Sequence, residues 1–220
     1  MGVAIHALSK VIKGRTILDN ISIEAPSGCI TGLSGVNGSG KSMLMRAVAG
    51  LIRPTSGIIT IDGRVLWNEI EFPPSIGLLI ENPAFLSGRT GIDNLRLLAS
   101  IKGVADESRI RKTLGYVGLD PDDKRRFSKY SLGMKQRLGL AAAVMEHPRI
   151  LLLDEPTNAL DSAGVEMLKK LVRGYRDHGA AVILSCHDAS ILDELSDRIY
   201  YLAEGHLDGC KTLNKALSKD

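Results

Sequence analysis

The chain has 220 residues, 44% of them hydrophobic and 24% charged, with 28 basic and 25 acidic side chains. That is enough chain for a core without disulfide staples, and the composition excludes a disordered, collagen-like or coiled-coil protein. A net charge of +3 and a pI of about 8.7 reflect a slight excess of base rather than a basic block, so no nucleic-acid partner is expected.

The start, Met1-Gly2-Val3-Ala4-Ile5-His6, lacks a basic segment followed by a long apolar run, which argues against a secretory signal. His6 also breaks the myristoylation pattern that Gly2 would open. Residues 3–12 and 17–24 carry apolar residues at strand spacing, and Pro26-Ser27-Gly28 marks a turn before a short buried strand, Cys29 to Leu33. Met43 to Ala49 reads as a helix. Residues 57–67 predict a hairpin around Asp62-Gly63, and Ser75 to Ile80 another buried strand.

From about Asn82 to Lys135 the pattern turns helical, with Ile92, Leu95, Leu98 and Ile101 expected on one stripe and a second helix from Asp106 to Leu114. Strands return at Ile150–Leu153 and Ala181–Ser185, around a helix from Val165 to Tyr175. Arg198 to Leu202 predicts a last strand before a helical end. Leu138 to Met145, the longest charge-free apolar stretch of the second half, falls far short of the roughly 20 residues a spanning helix needs. The three cysteines, Cys29, Cys186 and Cys210, are odd in number and read as reduced thiols of a cytosolic protein. Adjacent Cys186 and His187 would point to opposite faces of a strand, which argues against a metal pair. Strands alternating with helices predict one α/β domain of two lobes, with early antiparallel strands and a helical insertion.

Two stretches carry chemistry. Gly35-Val36-Asn37-Gly38-Ser39-Gly40-Lys41-Ser42 fits the phosphate-loop pattern G-x-x-x-x-G-K-[ST], between a strand and a helix as that motif requires. Its glycines let backbone N–H groups surround phosphate oxygens while the helix N-terminus faces the same anion. Lys41 is placed for the β- and γ-phosphates, and the Ser42 hydroxyl for Mg²⁺. Ile150 to Leu153 then delivers Asp154 and Glu155 to the carboxyl end of a strand, where open α/β sheets bind ligands. Asp154 suits Mg²⁺, and Glu155 a proton from an attacking water.

Tyr130-Ser131-Leu132-Gly133-Met134-Lys135-Gln136-Arg137 resembles the L-S-G-G-Q-K-Q-R signature of the ATP-binding cassette (ABC) ATPases, matching at Ser131 and Gly133. Asn158-Ala159-Leu160-Asp161 resembles their dimer-contacting loop, His187 stands in their switch-histidine slot, and Ile76 to Glu81 resembles the strand into their glutamine loop. The resemblance covers essentially the whole chain. It implies a P-loop NTPase fold of ABC type, with a mixed central sheet, an antiparallel β subdomain and a helical subdomain inserted at about 83–136. It also implies two such subunits enclosing two ATP molecules. Each site would take its phosphate loop, Asp154, Glu155 and His187 from one chain and Ser131, Leu132, Gly133 and Met134 from the other. Ala159, Leu160 and Asp161 would meet the partner. Hydrolysis would drive a separately encoded membrane permease, placing the subunit at the inner face of the cell membrane.

Two departures matter. Where the family stacks adenine on an aromatic residue, Ile12 offers only apolar contact, and no Phe, Tyr or Trp precedes Trp67. Glu81 replaces the usual glutamine, in a slot the family places at Mg²⁺, so the residue either ligates the metal or carries a proton. With the Ser-Leu-Gly-Met signature, this glutamate resembles bacitracin-resistance and lantibiotic-immunity exporters. The alternatives are a soluble ABC ATPase acting on DNA or the ribosome, against which the short Glu81–Ser131 interval and single phosphate loop argue, and a regulatory subunit without turnover, against which Lys41, Asp154, Glu155 and His187 argue together.

Overall fold

Alternating apolar residues build the first sheet. In the computed structural model, which describes residues 2–81 and 83–213, β1 (Gly2–Ile12), β2 (Arg15–Pro26), β4 (Ser56–Ile61) and β5 (Arg64–Val65) pair antiparallel in the order β2-β1-β4-β5. β1 buries Val3, Ile5 and Leu8, a step of two and then three. A register shift between Ile5 and Leu8, with Ala7 at φ 47°, absorbs the extra residue as a bulge.

The second sheet runs β10-β9-β3-β8-β7-β6. β3 (Cys29–Ser34), β6 (Ile76–Leu79), β7 (Ile150–Leu153), β8 (Ala181–Ser185) and β9 (Arg198–Ala203) are parallel, and β10 (His206–Thr212) is antiparallel to β9. β7 and β8 are buried throughout, which is why they read as unbroken apolar runs. Their side chains still alternate. Leu151, Leu153, Val182 and Leu184 join one core, beneath the helical lobe, while Ile150, Leu152, Ala181 and Ile183 join another, shared with the first sheet and α1 (Lys41–Val48).

The helical lobe holds α2 (Gly91–Lys102), α3 (Glu107–Tyr116) and a 3₁₀ turn at Phe127–Lys129. Thr90 and Asp106 cap α2 and α3, each accepting a backbone N–H three residues on. The expected stripe holds for Ile92 and Leu95, but Ile101 is 75% exposed and Ala99 takes the buried place. A strict three-residue step drifts off one face, whereas Ile92, Leu95 and Ala99 follow the 3.6-residue period. The signature helix, α4 (Leu132–Val144), runs past the expected boundary at 136 and packs on β6, so one helix spans both lobes. Beyond β7 come α5 (Ser162–Asp177) and the short α6 (Ala189–Leu195), the latter not expected from the sequence. Of the expected helical end, His206–Thr212 is instead a strand paired with β9 after a turn at Glu204-Gly205. The rest of it, residues 214–220, lies outside the described residues.

Candidate active site

β3, β8 and β7 are neighbours, and the chain leaving their carboxyl ends carries the phosphate loop, His187 and the Asp154-Glu155 pair respectively. The sheet therefore gathers residues from three distant parts of the sequence. A cleft of about 220 Å³ opens there, lined by Asn37, Gly38, Gly40, Lys41, Ser42 and the Asp154-Glu155 pair, with Ile17 and Arg46 at its sides.

Two glycines of the loop are required by space. At Gly35 (φ 152°) a side chain would strike the Leu202 carbonyl, and Gly40 (φ 108°) presses against the Leu18 side chain while forming the N-cap of α1. The Lys41 side chain is buried, its ammonium donating to the Gly35 carbonyl at 2.7 Å and the Val36 carbonyl at 3.1 Å. The cation is thus held at its own loop, ready to exchange two neutral acceptors for phosphate oxygens.

Ser185, at the end of β8, ties the acidic pair together. Its hydroxyl donates to Asp154 Oδ1 at 2.5 Å and accepts the Glu155 N–H at 2.9 Å. Asp154 is 5% exposed. Glu155 adopts φ 49°, a left-handed conformation unusual for a residue with a side chain. Gln136 holds this turn from α4, donating to the carbonyls of Glu155 (3.4 Å) and Pro156 (3.1 Å). The Glu155 carboxylate accepts the His187 backbone N–H on Oε2 at 3.0 Å. Its other oxygen, Oε1, lies 3.5 Å from His187 Nε2 and is buried without a hydrogen bond. An acceptor left free beside a histidine can take a proton from a bound water.

A cradle of backbone N–H groups, a lysine, a hydroxyl and one carboxylate suit a nucleotide triphosphate with Mg²⁺, which prefers one or two protein oxygens plus phosphates to a protein cage. Among the described residues no three His, Cys, Asp or Glu side chains cluster as such a cage. Ser42 and Asp154 share the cleft. Glu81 is not in its lining. It stands two residues beyond β6 at φ 60°, largely exposed, and its carboxylate pairs with the Arg46 guanidinium, which does line the cleft. Ile12 is also outside the lining, 38% exposed near the β1–β2 turn; Ile17 stands at the cleft instead.

The signature lies elsewhere on the chain's surface. Ser131 caps α4 by accepting the Met134 N–H at 3.2 Å, Leu132 is 69% exposed, and none of Ser131, Leu132, Gly133 and Met134 lines the phosphate cleft. A Cβ on Gly133 would sit 2.8 Å from the Ala159 carbonyl, so the signature and the 158–161 loop touch within one chain. Ala159 adopts φ 61°, and Asp161 caps α5 by accepting the Gly164 N–H while pairing with Arg137 at 2.8 Å. Both contacts hold the Asp161 carboxyl below the usual range, the Gly164 N–H more than Arg137. Ser185, Gln136, Arg137 and Arg46 were not singled out by the sequence for these roles. Gln136 and Arg137 belong to the signature stretch, and Ser185 stands two residues before His187, the only hint each carried.

The ABC transporter family model matches residues 18–158. The chain belongs to the ABC transporter family. It is an ATP-binding subunit of that family and an ATPase. It is 45% identical over 201 residues to an ABC transporter ATP-binding protein of Bacillus subtilis, YybJ, spanning 91% of this chain and 92% of that one. It is 38% identical to the lantibiotic transport ATP-binding protein SrtF of Streptococcus pyogenes (92% and 87%), and 39% to the bacitracin transport ATP-binding protein BcrA of Enterococcus faecalis (91% and 66%). Among solved structures, a dimeric ATP-binding cassette in a post-hydrolysis state with ADP and Pi superposes with a TM-score of 0.84 at 25% identity, covering 96% of this chain and 98% of that one.

Proposed function

We propose that this ATPase powers a separately encoded membrane permease that exports a peptide antibiotic, two subunits closing on ATP. The observation that carries the catalytic part is the gathering of Lys41, Ser42, Asp154 and Glu155 on one cleft with His187 at its edge. Likeness to lantibiotic and bacitracin transport subunits, with Glu81 in the glutamine slot, supports the cargo class. Among the described residues no helix is long and apolar enough to cross a membrane, in keeping with a permease on another chain and a place at the inner membrane face.

Lys41 releases the Gly35 and Val36 carbonyls and binds the terminal phosphates, while loop N–H groups orient the rest of the triphosphate. Ser42 and Asp154 would hold Mg²⁺, which supplies charge neutralisation to the transferred phosphoryl group. Glu155, fixed by the His187 N–H and by the Ser185 and Gln136 contacts to its backbone, accepts the proton of the attacking water. The His187 ring holds the far side of that carboxylate. The exposed helix start at Ser131–Met134 offers N–H donors to the second subunit's nucleotide.

The test is phosphate release by the subunit purified with the membrane chain encoded beside it. Stimulation by a peptide antibiotic, abolished by Lys41→Ala, is the expected result. Failure to associate with any membrane chain, or equal turnover with and without the peptide, would refute the export reading while leaving the ATPase intact.

A further inference from the structure

A second cleft lies away from the nucleotide. It has a volume of about 860 Å³, is open to solvent, and runs between α3 and the carboxyl ends of α4 and α5. Arg149, on its wall, immediately precedes β7, whereas Asp154 immediately follows that strand, so the two clefts sit at opposite ends of β7, roughly 16 Å apart along it. They share no lining residue.

We propose that this cleft binds a small anion carrying a flat ring, an aryl phosphate or carboxylate. Its chemistry is cationic along one side and aromatic on the floor. Arg109 and Lys112 stand three residues apart on α3, hence on one face, and neither has a carboxylate within salt-bridge distance among the described residues. Asp106, the one acidic side chain in the described lining, is engaged as the α3 cap by the Arg109 N–H at 2.8 Å. Opposite, the His147 and Tyr175 rings stack at 6.2 Å with 25° between their planes. His178 completes this side, its Nδ1 fixed 2.6 Å from the Gly174 carbonyl while Nε2 has no partner among the described residues. The volume falls in the range of small-molecule sites, which pair apolar and aromatic walls with a few converging polar groups.

The floor is rigid. Tyr175 donates to the Val144 carbonyl at 2.6 Å, which also accepts the His147 N–H at 3.0 Å, fixing His147 at φ 50°. Burial first, then the charges of Arg109 and His178, holds the His147 imidazole below its usual pKa, which favours the neutral ring. A bound anion would bridge the α3 cations to the ring pair.

The experiment follows the ring signals of His147 and His178 by NMR in the full chain. Saturating MgADP fills the nucleotide cleft so that added anions cannot act there. Phenyl phosphate should shift both histidines, binding about tenfold more tightly than inorganic phosphate because only it reaches the ring floor. Arg109→Gln with Lys112→Gln should weaken phenyl phosphate at least about tenfold with an unchanged melting temperature. His147→Asn, which tolerates the left-handed backbone, should erase the preference for the aryl compound, read at His178. No shift at either histidine, equal binding of the two phosphates, or binding unaffected by the α3 double variant would each overturn the proposal.

Discussion

Replacing Glu155 by glutamine tests the site at its centre. The substitution keeps the side chain's shape, so the packing against His187 survives. The amide oxygen can still accept the His187 N–H now bonded at 3.0 Å, leaving the amide nitrogen where Oε1 lies, 3.5 Å from His187 Nε2. What is lost is the proton acceptor. Removing a positioned general base costs roughly 10²–10⁴ in rate, about 3–5 kcal/mol of transition-state stabilisation. The structural cost is much smaller. A charged acceptor becomes a neutral one in a single hydrogen bond, about 1 kcal/mol, partly offset because a mostly buried carboxylate no longer has to be desolvated. Chain length near 220 makes that a melting shift of about 2–4 °C. Single-turnover phosphate release, nucleotide binding and thermal melting separate the two effects. His187→Ala supplies the control, because it removes the ring but keeps the backbone N–H on Oε2, so its rate should fall by less. Turnover by Glu155→Gln within a few-fold of the unaltered chain would refute the assignment, as would a large loss of nucleotide binding.

Glu81→Gln frees Arg46 from its carboxylate partner at the edge of the nucleotide cleft, and should change the pH and Mg²⁺ dependence of hydrolysis. Identical profiles would reduce Glu81 to a solvated loop carboxylate. Ser185→Ala strips the donor from Asp154 and the acceptor from the Glu155 N–H, a buried loss of about 1–3 kcal/mol; calorimetry should show a lowered melting temperature, and an unchanged one would mean that both groups find other partners. Burial pushes the Tyr175 phenol up to about 12 from an ordinary 10.0. A raised folded pKa stabilises fully below pH 10 and is lost as pH climbs from 10 towards 12. Denaturation midpoints should therefore fall over that window in the unaltered chain, and fall less in Tyr175→Phe.

The catalytic order of the sequence was legible because it is local. The phosphate loop needs glycines at fixed offsets, and an apolar run ending in Asp154-Glu155 marks a buried strand and its carboxyl end whatever surrounds it. Ile101 and the tail show where local reading fails. A three-residue apolar step looks helical, yet only packing reveals that Ala99, not Ile101, meets the core. His206 to Thr212 has little apolar pattern and becomes a strand because β9 offers it an edge, a tertiary fact absent from its own composition. Phe85, in a polar stretch, packs its ring edge-on to Phe127 at 5.3 Å within the helical lobe beside half-exposed Leu86, a contact no local pattern reveals.

Gln136, Arg137 and Ser185 were illegible for a deeper reason, since each acts by joining parts of the chain that sequence spacing keeps apart. Gln136 runs from the signature helix to the carbonyls of Glu155 and Pro156, and Arg137, its neighbour, reaches Asp161 and the Val117 carbonyl. One turn of α4 therefore grips both the catalytic strand's exit and the start of α5. The same helix begins at Ser131, where a second subunit's nucleotide would bind. A displacement of that helix start on nucleotide contact has a direct mechanical route to the backbone that aims Glu155, through the Gln136 side chain and no intervening loop. Gln136→Ala removes that link without touching either nucleotide surface, and it leaves the Pro156 carbonyl without its donor while the Glu155 carbonyl keeps the Asn158 N–H at 3.2 Å. Its rate should fall through kcat with KM nearly unchanged, because only the aim of the base is altered. A change confined to KM would show that the link serves binding and that Glu155 is held by Ser185 and His187 alone.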